Sequence, residues 1–137
     1  MSPPGTASPW MRKYIFPGAY SPALSEVFDV VEQNSLWVTD LEILRLHYAM
    51  TLAHWSQRFE ANRDKIEAMY DEKFARMWEF YLTSAEMMFR TGSQLVFHMQ
   101  LARKRDAVPI NRDYVTDVQR SYAKLKTENP VVSHSRA

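Results

Sequence analysis

Two periods divide this chain. Residues 94–103 alternate strictly, with Leu95, Phe97, Met99 and Leu101 on one side and Val96, His98 and Gln100 on the other, the signature of a strand. Residues 36–43, rich in branched and aromatic types, predict a second strand. Elsewhere apolar residues fall at helical spacing. Leu24, Val27, Phe28 and Val31 predict a helix started by Ser21 and Pro22 and ended by Asn34 and Ser35. From Leu44 a longer one follows, with Tyr48, Leu52, Trp55 and Phe59 in a single stripe and Arg58, Arg63 and Asp64 on its wet side. Asp71 is placed to cap a third, whose wide apolar face runs from Phe74 to Phe89 and which Gly92 stops. A short helix is expected around residues 114–125, with a frayed end from Glu128.

The beginning reads differently. Residues 1–9 are small and proline-rich, an irregular lead-in, and Trp10 to Tyr20 is dense in aromatics but interrupted by Pro17 and Gly18, which favours a fixed loop over a helix. Two strands and three main helices make an awkward domain, because an isolated two-stranded sheet is marginal in water and the face of residues 74–89 must pack against something. The pattern asks for more sheet than it supplies.

Composition narrows the classes. At 46% hydrophobic and 13% aromatic, 137 residues suffice for one domain with a core or a greasy cavity. Charge is balanced, 17 basic against 16 acidic residues, which gives no whole-chain electrostatic case for nucleic acid. The absence of cysteine excludes disulfides, thiolate zinc sites and a cysteine nucleophile within the chain, and makes the cytoplasm the default location. No apolar run approaches the ~20 residues of a spanning helix, so a membrane role is expected to be peripheral, at the inner face.

Three ordered blocks carry a resemblance. Lys13-Tyr14-Ile15-Phe16-Pro17-Gly18, the run from Leu41 to Leu52 containing Leu46-His47-Tyr48, and Asp71 to Thr91 together resemble the C-terminal part of the cyclopropane-fatty-acyl-phospholipid synthases. The resemblance extends from about Trp10 to about Tyr114, dividing the chain into a lead-in (1–9), a synthase-like part (10–114) and a polar tail (115–137). Val38-Thr39-Asp40 and Asp106-Ala107-Val108-Pro109 look most like proteobacterial phospholipid-modifying members. The implied fold class is α/β, the C-terminal part of a class I, Rossmann-like methyltransferase fold, here mostly helical with two antiparallel edge strands.

The resemblance also implies a chemistry. Family enzymes transfer a methylene from S-adenosylmethionine to cis-unsaturated acyl chains of phospholipids at the membrane surface, through a cation from which a bound bicarbonate removes a proton. Such chemistry needs a pocket that excludes water, and aromatic faces that tolerate nearby positive charge. Gly5, Gly18 and Gly92 are too few and scattered to form the glycine-rich turn that holds the donor, so that cofactor is expected on residues upstream and the chain is expected to be inactive alone. Its expected partners are the missing methyltransferase half or a second copy. The alternative is a non-catalytic lipid-binding or regulatory subunit derived from the enzyme.

Individual positions carry two readings each. Tyr48 matches the family tyrosine that hydrogen-bonds bicarbonate; on spacing alone it merely heads its apolar stripe. Phe16 and Leu52 match positions that line the acyl channel, with Tyr14 and Tyr20 in the same loop as Phe16, while ordinary packing has the same composition. The family often has a second glycine after Gly18, where this chain has Ala19, which puts the loop path in question. His47 and His54 share a helix face seven residues apart but lack a third ligand, so no metal is expected. Arg103-Lys104-Arg105 suits anionic headgroups or plain solvation, and the eight methionines suit a deformable channel wall or a soft core.

Overall fold

A computed structural model describes residues 5–92 and 94–128. Its first helix, α1 (Pro9–Tyr14), corrects the expected loop. Ser8 accepts a hydrogen bond from the Met11 amide at 3.2 Å and Pro9 takes the first helical position, a start signal strong enough to wind Trp10 to Tyr14 before Pro17 can interrupt. The chain then turns at Gly18, whose φ of 76° belongs to the left-handed region that glycine tolerates. Ala19 does not share that conformation, so the missing second glycine leaves the turn intact. Two short strands, β1 (Gly5–Thr6) and β2 (Tyr20–Ser21), pair antiparallel and close this segment, so part of the expected lead-in is ordered.

Ser21 therefore serves a strand rather than a cap. Helix α2 (Leu24–Gln33) begins three residues later, where the Ala23 amide donates to Glu26 Oε2 at 2.7 Å and the Tyr20 hydroxyl donates to the other oxygen of the same carboxylate. It ends at Asn34 as expected, and Ser35, with φ 52°, reverses the chain into β3 (Trp37–Ile43).

Strand β3 pairs antiparallel with β4 (Phe97–Ala102), from Trp37 opposite Ala102 to Ile43 opposite Phe97, with a bulge at Thr39. Three helices separate these strands in sequence: α3 (His47–Glu60), α4 (Arg63–Met69) and α5 (Glu72–Thr91). The helix expected to run from Leu44 past Arg63 and Asp64 breaks after Glu60, and its last part is the separate helix α4. It buries no residue and is tied down by Arg63, which pairs with Glu60, Glu67 and Glu79 and lies 5.4 Å from the Phe59 ring centre. Asp71 caps α5 by accepting from the Phe74 amide at 2.6 Å, and Gly92 ends it where a Cβ would sit 2.5 Å from the Met88 carbonyl oxygen.

The core lies between α3 and α5. Leu52, Phe59, Ala75, Tyr81, Leu82 and Ala85 form one buried cluster, with Leu52 and Leu82 closed off entirely. A final helix, α6 (Asp113–Glu128), starts against the polar side of the strand pair: Arg112 pairs with Asp40, and the Tyr114 hydroxyl donates to Gln100. It runs across the boundary expected at residue 114 and is longer than the helix expected there; residues 129–137 of the expected frayed end lie outside the described residues.

Candidate functional site

The site is built where the aromatic turn after α1 meets the α3–α5 pair. Strand β3 delivers the chain to α3 through Leu44, whose amide donates to the Val96 carbonyl at 2.9 Å, so the start of α3 is anchored to the strand pair. Tyr48 is the second residue of α3, half-buried, and its ring stands edge-on to Phe89 at 4.8 Å and to Trp55 at 6.0 Å. Across the helix interface sits Tyr81, only 5% exposed. Its hydroxyl is held above the ordinary tyrosine range, chiefly by burial and secondarily by the charge Tyr48 would carry, which places the two phenols within electrostatic reach of each other.

Phe16 completes the cluster. It packs edge-on against Tyr81 at 5.7 Å, while Trp78 covers another side of the same ring at 5.0 Å. Leu52, one turn after Tyr48, lies at 0% exposure in the floor beneath. Phe16 thus meets Tyr81 ring to ring, and Tyr48 packs with Phe89 and Trp55 against the same buried cluster, which contains Leu52 and Tyr81. Chemically the arrangement offers two phenols, one buried and one half-buried, beside aromatic and aliphatic side chains.

The other two loop tyrosines face elsewhere. Tyr14 lies on α1 with its ring 5.7 Å from Trp10 and beneath the Lys13 ammonium, and Tyr20 is committed to Glu26, whose carboxylate raises the Tyr20 hydroxyl pKa through that hydrogen bond. Tyr81 is the residue that the sequence reading left among the apolar positions of its helix. The available signal was its phenol: a buried tyrosine wants a partner for its hydroxyl, unlike Phe or Leu on the same face.

Among the described residues no group of three His, Cys, Asp or Glu is placed to hold a metal ion, and His47 and His54 are both exposed. Neither of the longer strands is parallel to a neighbour or followed by a glycine turn, since Gly18 lies between α1 and β2 and Gly92 closes α5. These residues do not fit a nucleoside-bearing donor. No described helix is long and apolar enough to cross a membrane.

Comparison with known proteins gives this geometry a context. The family model for mycolic acid cyclopropane synthetase matches residues 1–99. Over 97 residues, 69% of this chain and 23% of the relative, the chain is 42% identical to the tuberculostearic acid methyltransferase UfaA1 of Mycobacterium tuberculosis. It is 38% identical over 63% of its length to a probable fatty acid methyltransferase of Pseudomonas putida, and 36% identical over 69% of its length to sphingolipid C9-methyltransferase 2 of Gibberella zeae. The chain spans less than a quarter of each of these relatives. Among solved structures, mycolic acid cyclopropane synthase CmaA1 complexed with SAH and CTAB superposes with a TM-score of 0.65 at 32% identity, covering 67% of this chain and 32% of that one. The cyclopropane synthase MmaA2 from Mycobacterium tuberculosis gives 0.66 at 27% identity, covering 68% of this chain and 33% of that one.

Proposed function

The chain belongs to the mycolic acid cyclopropane synthetase family, with the mostly helical part of its α/β, Rossmann-like fold and two antiparallel strands, and on that premise we propose that it works as the C-terminal segment of a lipid-alkylating methyltransferase. The reaction is transfer of a methylene from S-adenosylmethionine, held on residues upstream of this chain, to cis-unsaturated acyl chains of phospholipids. The segment acts at the cytoplasmic membrane surface. Alone it does not turn over.

In this reading Tyr48 donates its hydroxyl hydrogen to a bicarbonate that accepts the proton released on ring closure, and Phe16 and Leu52 form the wall that keeps water from the cation. Tyr14, at the end of α1, and Tyr20, on β2, flank the turn that carries Phe16. Phe89 and Trp55, edge-on to Tyr48, set its ring in place. What supports the reading is that Phe16 packs on Tyr81 while Tyr48 packs on the same buried cluster, so that three segments widely separated in the chain share one core.

The test is Tyr48→Phe in the chain reconstituted with its upstream methyltransferase half. Ring formation at limiting bicarbonate is expected to fall by ~10²-fold, in the range of a lost proton-transfer partner; undiminished ring formation rejects the assignment. A second reading is a non-catalytic lipid-binding or regulatory subunit derived from such an enzyme. Stable lipid binding by the chain with no gain of turnover in the presence of any upstream half selects it.

A further inference from the structure

The last helix is fastened to the strand pair at two neighbouring points. Arg112, just before α6, grips the Asp40 carboxylate with two arms of its guanidinium, Nη2 donating to Oδ1 at 3.0 Å and Nε to Oδ2. Two residues on, the Tyr114 hydroxyl donates to Gln100 Oε1. Asp40 and Gln100 are direct cross-strand partners, so the segment holds both members of one pair from the same face. Both grips come from beyond residues 1–99, the span of the family match.

We propose that Arg112 and Tyr114 are positioning residues, which fix the register of β3 on β4 and through it the placement of Tyr48; the inference rests on the role proposed for Tyr48. Three observations carry it. The clamped pair follows directly on the bulge at Thr39, where the ladder steps by one residue: Val38 faces Leu101, but Asp40 faces Gln100. With the bulge ironed out, Thr39 would face Gln100 and Asp40 would turn to the other side of the sheet, away from Arg112, so the clamp is satisfied in one register only. Hydrophobic burial selects that register weakly, because Leu41, Phe97 and Met99 are half-buried and Ile43 is exposed, while Glu42 meets His98 at a loose 3.8 Å. Finally, β3 leads straight to the site: the Leu44 amide donates to the Val96 carbonyl, the Leu44 carbonyl accepts from the His47 amide at 2.9 Å, and Tyr48 is next. Among the described residues no side chain caps this start of α3, so its first turn depends on the strand that enters it. A one-residue slip would carry Leu44 about 3.3 Å along β4.

Fluorine NMR of the full chain labelled with 3-fluorotyrosine tests it, the Tyr48 line being the one lost in Tyr48→Phe. The double variant Arg112→Gln with Tyr114→Phe should shift or split that line, and each single variant should move it less. Arg112→Lys, which keeps a charge opposite Asp40, should move it less than Arg112→Gln does. Ser121→Pro breaks α6 beyond the clamp and should leave the line in place. A Tyr48 line unmoved by the double variant overturns the proposal, and so does one moved as far by Ser121→Pro, since the helix as a whole would then be responsible. If the double variant does not fold, the single variants read each grip alone, and a Tyr48 line unmoved in both overturns the proposal equally. In the chain reconstituted with its upstream half, loss of the clamp should raise the bicarbonate needed for half-maximal ring formation about tenfold and change the saturated rate by no more than about twofold, as for a binding group set slightly out of place. A moved Tyr48 line with an unchanged bicarbonate requirement upholds the clamp and sinks the role proposed for Tyr48. An unmoved line sinks the clamp and spares that role.

Discussion

The helix pair and the strand pair are built on different terms. Between α3 and α5 every residue of the buried cluster comes from one of the two helices, and the aromatic turn after α1 seals the top. The β3–β4 pair, by contrast, buries only Ala102, carries polar residues on the side that meets α6, and receives little cover from α2. A helix hairpin satisfies its own backbone and can bury its own stripe; a two-stranded sheet leaves an unpaired edge and needs a neighbour. The same chain therefore holds one layer that is complete and one that calls for further strands, in keeping with a segment that spans less than a quarter of its relatives.

The sharpest way to break this comparison is to remove volume from each layer. Leu82→Ala, at the closed centre of the helix pair, should cost ~2–5 kcal/mol, whereas Met99→Ala on the partly exposed strand should cost less than about half of that. Urea midpoints read both, and equal losses would erase the distinction. Asp71→Ala removes the one side-chain cap of α5 and should cost ~1 kcal/mol, recovered in large part by Asp71→Ser.

A smaller effect depends on pH. The Tyr81 hydroxyl titrates above its ordinary value of 10.0 in the fold, so its contribution to stability is complete below that pH and is lost as pH rises through the folded value. Tyr81→Phe should therefore flatten the alkaline fall in melting temperature. A curve parallel to the parent's would show that Tyr81 is not the group responsible. Smallest of all, Arg112→Ala should cost no more than ~1 kcal/mol while quickening amide exchange in the first turns of α6, since its ion pair with Asp40 is largely exposed on the arginine side.

Much of this was legible in the residues. The alternation at Phe97 to Leu101 marked β4, the Asp71 cap and Gly92 stop bounded α5, and Asn34 with Ser35 ended α2, because each rests on a local preference that neighbours reinforce. Helix α1 was hidden because Pro17 and Gly18 dominated the reading of a segment whose start signal, Ser8 with Pro9, lay in the discarded lead-in. Helix α4 was hidden as a separate element because Ile66 alone packs it on the core and makes no stripe, and the pairs of Arg63 with Glu60 and Glu79 on neighbouring helices leave no period in a sequence. The contact of Tyr81 with Phe16 was not readable, since period alone cannot tell a buried phenol from any other core ring.

The arginine that tethers α4 has a consequence of its own. A segment with one partly buried apolar anchor, Ile66, and the rest of its ties made by charge responds to ionic strength, because the Debye length shrinks from ~10 Å at 0.1 M salt to ~3 Å at 1 M. Added salt should therefore loosen residues 63–69 while the adjoining leucines hold firm, giving the molecule a stretch whose order is set by the electrolyte around it.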